Sequence, residues 1–382
     1  MDKMQFDNAM ARQARLAPGF VRTIVESMGY DKLNNALPLT EIWDAQQIVI
    51  TGCGDSWLAG IAARPLFESV SGVKNVQVMR NIEFNRYMDK GQLGFSPNTP
   101  LVIGISISGT VSRVVEAMER AQHYGANSLL ITDDPDSPAA KAARHVLLLD
   151  MPKPGEYGPG LLSYCASVSA LMCLALRIGR ARGFITDGEH KKMVQAIVDY
   201  AASYAPLIEE MDQRCFELAG TWKDLRCVDF VGDYADYATA FFGSAKILET
   251  YGGYTTYDDS EDWCHINYFL RDPDTIGRVF ITNSDTPSFN RVKETLVAVD
   301  QLGSPCIVVT DADKSEFADR FEVFTTPKAP YSWLSPLMQH LPYDFISGYS
   351  AELLGVENFR RDNPIYVEQG GTRIRQSKIT IV

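Results

Sequence analysis

The sequence contains the same strand, turn and helix pattern twice. A gapless self-comparison aligns LVIGISISGT and SRVVEAMERAQHYGANSLLITDD with RVFITNSDT and SFNRVKETLVAVDQLGSPCIVVTDA. At one constant offset it pairs Ile103 with Ile281, Ser106 with Ser284, Ser108 with Thr286, Gly125 with Gly303 and Asp133 with Asp311. Each copy predicts an apolar strand, a Ser/Thr turn, an amphipathic helix and a second strand, which makes a βαβ unit with parallel strands. The repeat therefore restricts the chain to two similar α/β domains.

A further strand, glycine turn and helix precede each copy, as QQIVITGCGDSWLAGIAARPLFE and CVDFVGDYADYATAFFGSAKILE. We therefore predict two doubly wound, flavodoxin-like parallel-sheet domains in tandem. The predicted segments are an N-terminal helical segment 1–39 with an amphipathic helix over 19–37, a first domain 40–185, a linking helix 186–218, a second domain 219–355 and a polar tail 356–382.

Charge and composition exclude several classes of protein. The 382 residues include 36 Lys+Arg and 48 Asp+Glu, a formal charge of −12, which disfavours a nucleic-acid partner. The N-terminus lacks an apolar signal core, and the 7 Cys form no CxxC pair, so we expect a cytoplasmic protein with free thiols. The uncharged stretch 161–176 predicts a buried helix rather than a membrane span. The 5 His are scattered, so we expect no metal site and no cofactor.

The first glycine turn does not fit a nucleotide. Gly52, Gly54 and Ser56 begin like a dinucleotide fingerprint, but the third glycine of that motif falls at Trp57. A Walker loop also fails, because no G-K-[ST] follows either turn of the first copy.

The second turn of the first copy, SISGTVS at 106–112, places four hydroxyls around a predicted helix start. Hydroxyls and backbone amides there suit a compact phosphate monoester, with Ser56 on the neighbouring turn adding a fifth hydroxyl. The alternative is ordinary N-capping, for which one hydroxyl suffices. In the second copy Asp285 would repel a phosphate, so we expect that turn to be structural and look for function between Glu249 and His265.

The motifs TGCGDSWLAG and ISISGT, the repeat and the tail Lys378 resemble the sugar isomerase (SIS) domain family. The tandem arrangement is similar to the isomerase half of glucosamine-6-phosphate synthase and its deglycase and deaminase relatives. The resemblance implies that the sugar and its phosphate are held by residues of the two turns, namely Gly54, Asp55, Ser56, Ser106, Ser108, Thr110 and Ser112.

The same resemblance implies the catalytic roles. Glu249 matches the base that moves a proton between C1 and C2, and His265 matches the ring-opening His, which relatives supply from the neighbouring subunit. Lys378 matches a tail Lys that forms an imine with the open-chain ketose, and the tail would close the active site. Lys246, one turn before Glu249, matches a second active-site Lys.

The chain also departs from the synthase pattern. Ile107 and Thr110 with Val111 replace polar and acidic positions, and Phe242 stands where the synthase has another Glu. No glutaminase segment precedes the repeat, so we expect no glutamine hydrolysis.

These features predict a phosphosugar enzyme, foremost a deglycase or deaminase acting on an amino-sugar or fructosamine 6-phosphate. A plain aldose/ketose-phosphate isomerase and a non-catalytic phosphosugar-binding regulator are the alternatives. The expected partners are a small sugar phosphate and a second copy in a homodimer with shared active sites, without nucleic acid or membrane.

Overall fold

The structure, a computed structural model, describes residues 2–94, 99–152 and 158–382. It contains two parallel five-stranded sheets, as the sequence predicts. The first sheet has the order β2-β1-β3-β4-β5, built from β1 Gln47–Gly52, β2 Asn75–Arg80, β3 Pro100–Ile105, β4 Asn127–Thr132 and β5 His145–Leu148. The second has the equivalent order β7-β6-β8-β9-β10, built from β6 Cys227–Gly232, β7 Thr255–Asp258, β8 Ile276–Ile281, β9 Cys306–Thr310 and β10 Glu322–Thr325.

Helices connect the strands of both sheets. In the described ranges they are α1 Ala9–Ser27, α2 Tyr30–Ala36, α3 Leu39–Asp44, α4 Asp55–Val70, α5 Asn81–Arg86, α6 Ser112–His123, α7 Pro138–Ala142, α8 Leu161–Ala181, α9 Asp187–Ser203, α10 Ile208–Trp222, α11 Asp236–Thr250, α12 Ser260–His265, α13 Phe289–Leu302, α14 Leu341–Leu354 and α15 Pro364–Arg375. The alternation of strand and helix confirms the predicted doubly wound class.

The described residues form two compact units, each around one sheet. The first-sheet unit comprises those within Phe20–Lys153, Ser163–Val198 and Val367–Val382. The second-sheet unit comprises those within Met1–Gly19, Pro154–Leu162 and Asp199–Tyr366. The contiguous boundaries 40–185 and 219–355 stay predictions, while the C-terminal residues clearly belong to the first-sheet unit.

Continuous apolar burial explains why these segments form central parallel strands. Every residue of β1, β3 and β8 is buried, as is typical of strands covered by helices on both faces. Helix α8 contains the predicted apolar stretch 161–176. It is long and apolar enough to cross a membrane. However, 94% of its most apolar 18-residue stretch is buried inside the structure, which indicates a core helix.

Strand register corrects the gapless alignment at the second turn. Ile105 pairs with Ile131 in the first sheet, whereas Ile281 pairs with Val309 in the second. Since Ile131 and Val309 are equivalent in the alignment, Ile281 occupies the place of Ile105 and not of Ile103. The second copy thus has two extra residues between this strand and the glycine after the next helix. As a result, Ser284 corresponds to Ser108, and Asp285 to Gly109.

Two helix predictions are wrong in their bounds. The N-terminal helix begins at Ala9 rather than at 19, because the Asn8 side chain accepts the Ala11 N–H at 3.0 Å and caps it, and it breaks before α2. The linking stretch 186–218 is two helices, because Pro206 lies in a short 3₁₀ turn between α9 and α10 and cannot continue a helix.

Candidate functional site

Backbone hydrogen bonds fix the turn 106–112, which joins β3 to α6 and is called the hydroxyl turn below. Ser106 N donates to Ile131 O at 3.0 Å, and Ala139 N donates to Gly109 O at 3.0 Å. Gly109 has φ +59°, and a Cβ there would lie 1.9 Å from Ser137 Oγ, so only glycine fits. The turn is therefore preorganised by the adjacent strand and by α7.

The hydroxyls of this turn do not cap α6. The N-cap residue is Val111, which makes no side-chain cap hydrogen bond. Ser108 Oγ and Thr110 Oγ1 lie 2.9 Å apart, with Ser108 exposed and Ser106 buried. The capping alternative therefore does not account for the cluster, and the exposed hydroxyls stand beside a helix N-terminus, where anions are stabilised.

The neighbouring glycine turn has a similar form. Gly54 is the N-cap of α4 with φ +55°, and Asp55 and Ser56 open that helix, both half-buried. Trp57 is buried, and the Arg80 guanidinium lies 4.2 Å from its ring centroid. The close helix-to-sheet contact falls instead at Gly60, where a Cβ would meet Ile50 and Val78 at 2.9 Å.

The C-terminal residues 377–382 run along α6 and bind its side chains. Ser377 N donates to Ser112 Oγ at 3.2 Å, so the last residue of the hydroxyl turn contacts the tail. Thr380 N donates to Glu116 Oε2 at 3.0 Å, and Arg120 Nε donates to Val382 O at 2.8 Å. These α6 partners are four residues apart, so an extended tail follows one face of the helix.

Charged side chains anchor this tail. Glu116 has no exposed side-chain surface and pairs with both Arg86 and Arg113, the latter at 2.5 Å. Arg113 also donates to the backbone oxygen of Lys378, whose side chain is exposed. The sequence reasoning missed Glu116, Arg86, Arg113 and Arg120. The only available signal was the spacing of charges on a helix whose other face is apolar.

The predicted base lies in the second-sheet unit, near the C-terminal end of α11. Glu249 Oε2 is 2.6 Å from Lys246 Nζ; the Lys side chain is fully buried and the Glu side chain is 28% exposed. The Lys246 ammonium also lies 4.5 Å from the Phe242 ring centroid. Arg360 donates to Thr250 O and Tyr251 O, so it caps the helix end that carries Glu249.

The structure places His265 at the end of α12, on the surface of the same unit. Its Nε2 is 3.2 Å from Glu261 Oε1, and its side chain is 68% exposed. Glu261 is also held by Arg291 at 2.7 Å. Thus the second-sheet unit holds Lys246, Glu249 and His265, and the first-sheet unit holds the two turns and Lys378.

Carboxylates occupy the second-sheet turn that corresponds to the hydroxyl turn. Asp311 Oδ1 accepts the Ser284 N–H at 2.6 Å, and Lys328 Nζ lies 3.0 Å from Asp285 Oδ1. Asp236 is fully buried, and burial raises its pKa to about 7 although Ser335 and Asn283 both donate to it at 3.2 Å.

Three carboxylates, Asp258, Asp259 and Asp262, have oxygens within 4.8 Å of one another. Asp259 accepts the N–H groups of Glu261 and Asp262, so it serves as the N-cap of α12.

Comparison with known proteins agrees with this fold. Residues 41–177 match the SIS domain family. The C-terminal domain of glucosamine-fructose-6-phosphate aminotransferase from Francisella tularensis superposes with a TM-score of 0.81 at 17% identity, covering 94% of this chain and 99% of that one. Tagatose-6-phosphate ketose/aldose isomerase from Escherichia coli gives 0.71 at 15% identity, covering 92% and 94%.

The fold of the described residues therefore matches that of two SIS α/β domains in tandem, and residues 41–177 are similar in sequence to the SIS family. More specifically, its sequence is homologous to the isomerizing glutamine–fructose-6-phosphate aminotransferases. It is 25% identical to that of Geobacillus kaustophilus over 258 residues, which are 65% of this chain and 40% of the relative. It is 23% identical to that of Bacillus cereus over 374 residues, which are 92% of this chain and 56% of the relative. The chain thus spans about half the length of these relatives.

Proposed function

We propose that this protein is a phosphosugar enzyme in which Glu249 moves a proton between C1 and C2 of the substrate. The observation that carries the proposal is the pair of Lys246 and Glu249. A fully buried ammonium, covered by the Phe242 ring, holds a carboxylate that stays partly exposed at a capped helix end. Burying a charge is costly unless it is paired, so this arrangement fixes the carboxylate position. A protein that only binds sugar phosphates would not depend on this carboxylate.

In this proposal the hydroxyl turn and the Gly54 turn hold the phosphate. The exposed hydroxyl of Ser108 and the helix N-terminus offer donors to a dianion without a Lys or Arg. A small phosphate is compatible with the net charge of −12, because the donors act locally.

The substrate class we propose is an amino-sugar or fructosamine 6-phosphate. In the open-chain form, the Glu249 carboxylate takes a proton from the amine-bearing carbon next to the carbonyl carbon and returns it to the carbonyl carbon, while a proton of the amine nitrogen passes to the carbonyl oxygen. The product is the isomeric imine, which water hydrolyses to a free amine or ammonia and a sugar phosphate. A positioned base of this kind contributes roughly 10²–10⁴-fold. We assign ring opening to His265. We assign to Lys378 a transient imine with the open-chain ketose, which forms with loss of water and which water cleaves again before the proton reaches that carbon.

The test compares turnover of a fructosamine 6-phosphate, glucosamine 6-phosphate and fructose 6-phosphate by wild type and Glu249→Gln. We expect kcat to fall by roughly 10²–10⁴-fold in Glu249→Gln, with sugar-phosphate binding retained. Glu217→Gln, at an exposed position of α10, is the matched control. Equal turnover by both variants would remove Glu249 as the base.

Two outcomes favour the alternatives. Interconversion of aldose and ketose phosphates without amine release would indicate a plain isomerase. Sugar-phosphate binding without turnover of any compound would indicate a regulator.

We also propose a homodimer with His265 acting in the partner's active site. A stable monomer with full activity, measured by mass at assay concentration, would contradict this assembly.

A further inference from the structure

A cavity of about 300 Å³ lies in the first-sheet unit, among α1, α2, α8 and α9. None of its lining residues belongs to the hydroxyl turn, the Gly54 turn or the tail. Its walls are largely apolar, formed by Val25, Met28, Leu33, Cys173, Val194 and Val198. It is a space of ligand size that the proposed reaction does not use.

A buried guanidinium lines this cavity. Arg177 is only 5% exposed, and its Nε donates to Asn34 Oδ1 at 2.6 Å. Among the residues that the structure describes, no carboxylate pairs with Arg177, and its two terminal nitrogens have no hydrogen-bond partner. A buried Arg without an anionic partner is costly, because its charge has lost water without gaining a counter-charge.

The surroundings add positive charge, which the phenol oxygen of Tyr30 offsets only in part, since the pKa of Arg177 is lowered on balance, chiefly by burial. Arg180 lies near Arg177 and acts on it repulsively, although its own guanidinium pairs with Asp187 at 2.5 Å. His190 lines the cavity, and burial together with Arg180 and Arg177 lowers its pKa. The lining acid Glu26 is 3.9 Å from Arg22. The cavity therefore has a deep cation, and the carboxylate in its lining, Glu26, lies beside Arg22 and makes no ion pair with Arg177 in the described part of the chain.

We propose that this cavity binds a small carboxylate with an apolar body. The planar guanidinium of Arg177 matches a carboxylate through two parallel hydrogen bonds. The apolar walls would cover the remainder of the ligand. A phosphate dianion fits less well, because the walls are largely apolar and the other lining guanidinium, Arg22, lies 3.9 Å from the Glu26 carboxylate. The proposal does not depend on the proposed reaction.

Calorimetric titration with benzoate and with its neutral analogue benzamide tests the charge requirement. We expect wild type to bind benzoate at millimolar concentrations or better, and benzamide at least about tenfold more weakly. Arg177→Met should lose benzoate binding, whereas Arg64→Met, on the exposed side of α4, should not.

Because Arg177→Met removes a buried side chain, Cys173→Phe provides a second variant. Cys173 lines the cavity from α8, so a larger side chain there fills the space and leaves Arg177 in place. It should also abolish benzoate binding, with unchanged sugar-phosphate turnover.

Three results would overturn the proposal. The first is no benzoate binding to wild type at millimolar concentrations, and the second is benzoate binding that both cavity variants retain. The third is a wild-type dimer that binds no benzoate and becomes monomeric in the Arg177→Met variant. That result would mean that Arg177 pairs with a second copy.

Discussion

The two turns at the carboxyl edges of β3 and β8 have equivalent positions but opposite polarity. The hydroxyl turn exposes Ser108 beside a helix start with no side-chain cap. At the corresponding turn Asp311 accepts the Ser284 N–H, and Asp285 pairs with Lys328. One turn leaves its donors available for an external anion, whereas the other satisfies them with carboxylates of the protein. The same strand, turn and helix is thus compatible with a binding role and with a purely structural one.

The sheet interiors differ in the same sense. Val49, the third residue of β1, pairs with Val102 of β3. At the equivalent position of the second sheet, Asp229 of β6 pairs with Arg278 of β8. Asp229 and Arg278 are fully buried and ion-paired, and Trp263 Nε1 also donates to Asp229 at 2.6 Å. The first sheet packs valines at the site where the second buries a charge pair.

Replacing this charge pair by the valines of the first sheet tests that difference. Asp229→Val should destabilise the protein by roughly 3–5 kcal/mol, because Arg278 remains buried without its counter-charge. The double variant Asp229→Val/Arg278→Val should cost less than the single one. Denaturant unfolding measures both. A double variant as unstable as the sum of the two single variants would show that the charges do not act as a pair.

The pH dependence of stability tests the buried carboxylate of Asp236, which opens α11 at the carboxyl end of β6 in the second sheet. The folded-state pKa of Asp236 is about 7, above the value near 4 of an unfolded aspartate, so the folded state holds the extra proton between those values. Stability from this group is present at low pH and is lost as pH rises toward 7. Asp236→Asn should remove that loss. From pH 5 to pH 7 the free energy of unfolding of the variant should rise by on the order of 2 kcal/mol relative to that of wild type.

Unfolding midpoints of wild type and Asp236→Asn at several pH values measure the effect. Asp274→Asn, at an exposed position of the same unit, is the control. Parallel stability curves for wild type and Asp236→Asn would contradict the raised pKa.

Introducing a carboxylate into the hydroxyl turn should give it the negative charge of the corresponding turn in the second sheet. Ser108→Asp should weaken binding of glucosamine 6-phosphate by at least about tenfold through repulsion. The isosteric Ser108→Asn should lose less. Asp285→Asn, in the second turn, should leave the affinity unchanged. Calorimetry measures all three, and equal affinities for the Asp and Asn variants would place the phosphate elsewhere.

The smallest effect concerns the tail beside the hydroxyl turn. Thr380→Pro removes the N–H that donates to Glu116, whereas Thr380→Ala keeps it. We expect a loss of about 1 kcal/mol in tail docking, without a change in global unfolding. Hydrogen exchange over 377–382 should be faster only in the Pro variant. Unchanged exchange would show that this bond does not hold the tail.

Sequence patterns were sufficient for the elements and the sheet class. Unbroken apolar runs of strand length predicted the strands, and glycine and hydroxyl clusters predicted the turns that follow them. They could not locate the two-residue difference after β8, because a gapless alignment cannot show where an insertion falls. Pro206 and Asn8, which break one helix and start another, were readable signals that the predicted helix bounds did not use.

The candidate side chains were predictable only one by one. The sequence pointed to Ser108, Glu249 and its neighbour Lys246, and to Lys378, but not to the distant residues that hold the tail. Lys246 under Glu249 follows from helical spacing, whereas Glu116 against Thr380 joins residues far apart in the chain. Such contacts depend on tertiary packing, which no local pattern encodes.

The sequence by itself therefore determined the parallel α/β class, the pair of similar sheets and the position of a hydroxyl-rich turn. Tertiary structure decided which hydroxyls remain exposed, which carboxylates fill the second turn and which charges are buried without a counter-charge, as at Arg177. The physical reason is that strand and helix formation follow local apolar periodicity. Burial, pairing and pKa depend on which distant groups share the same space.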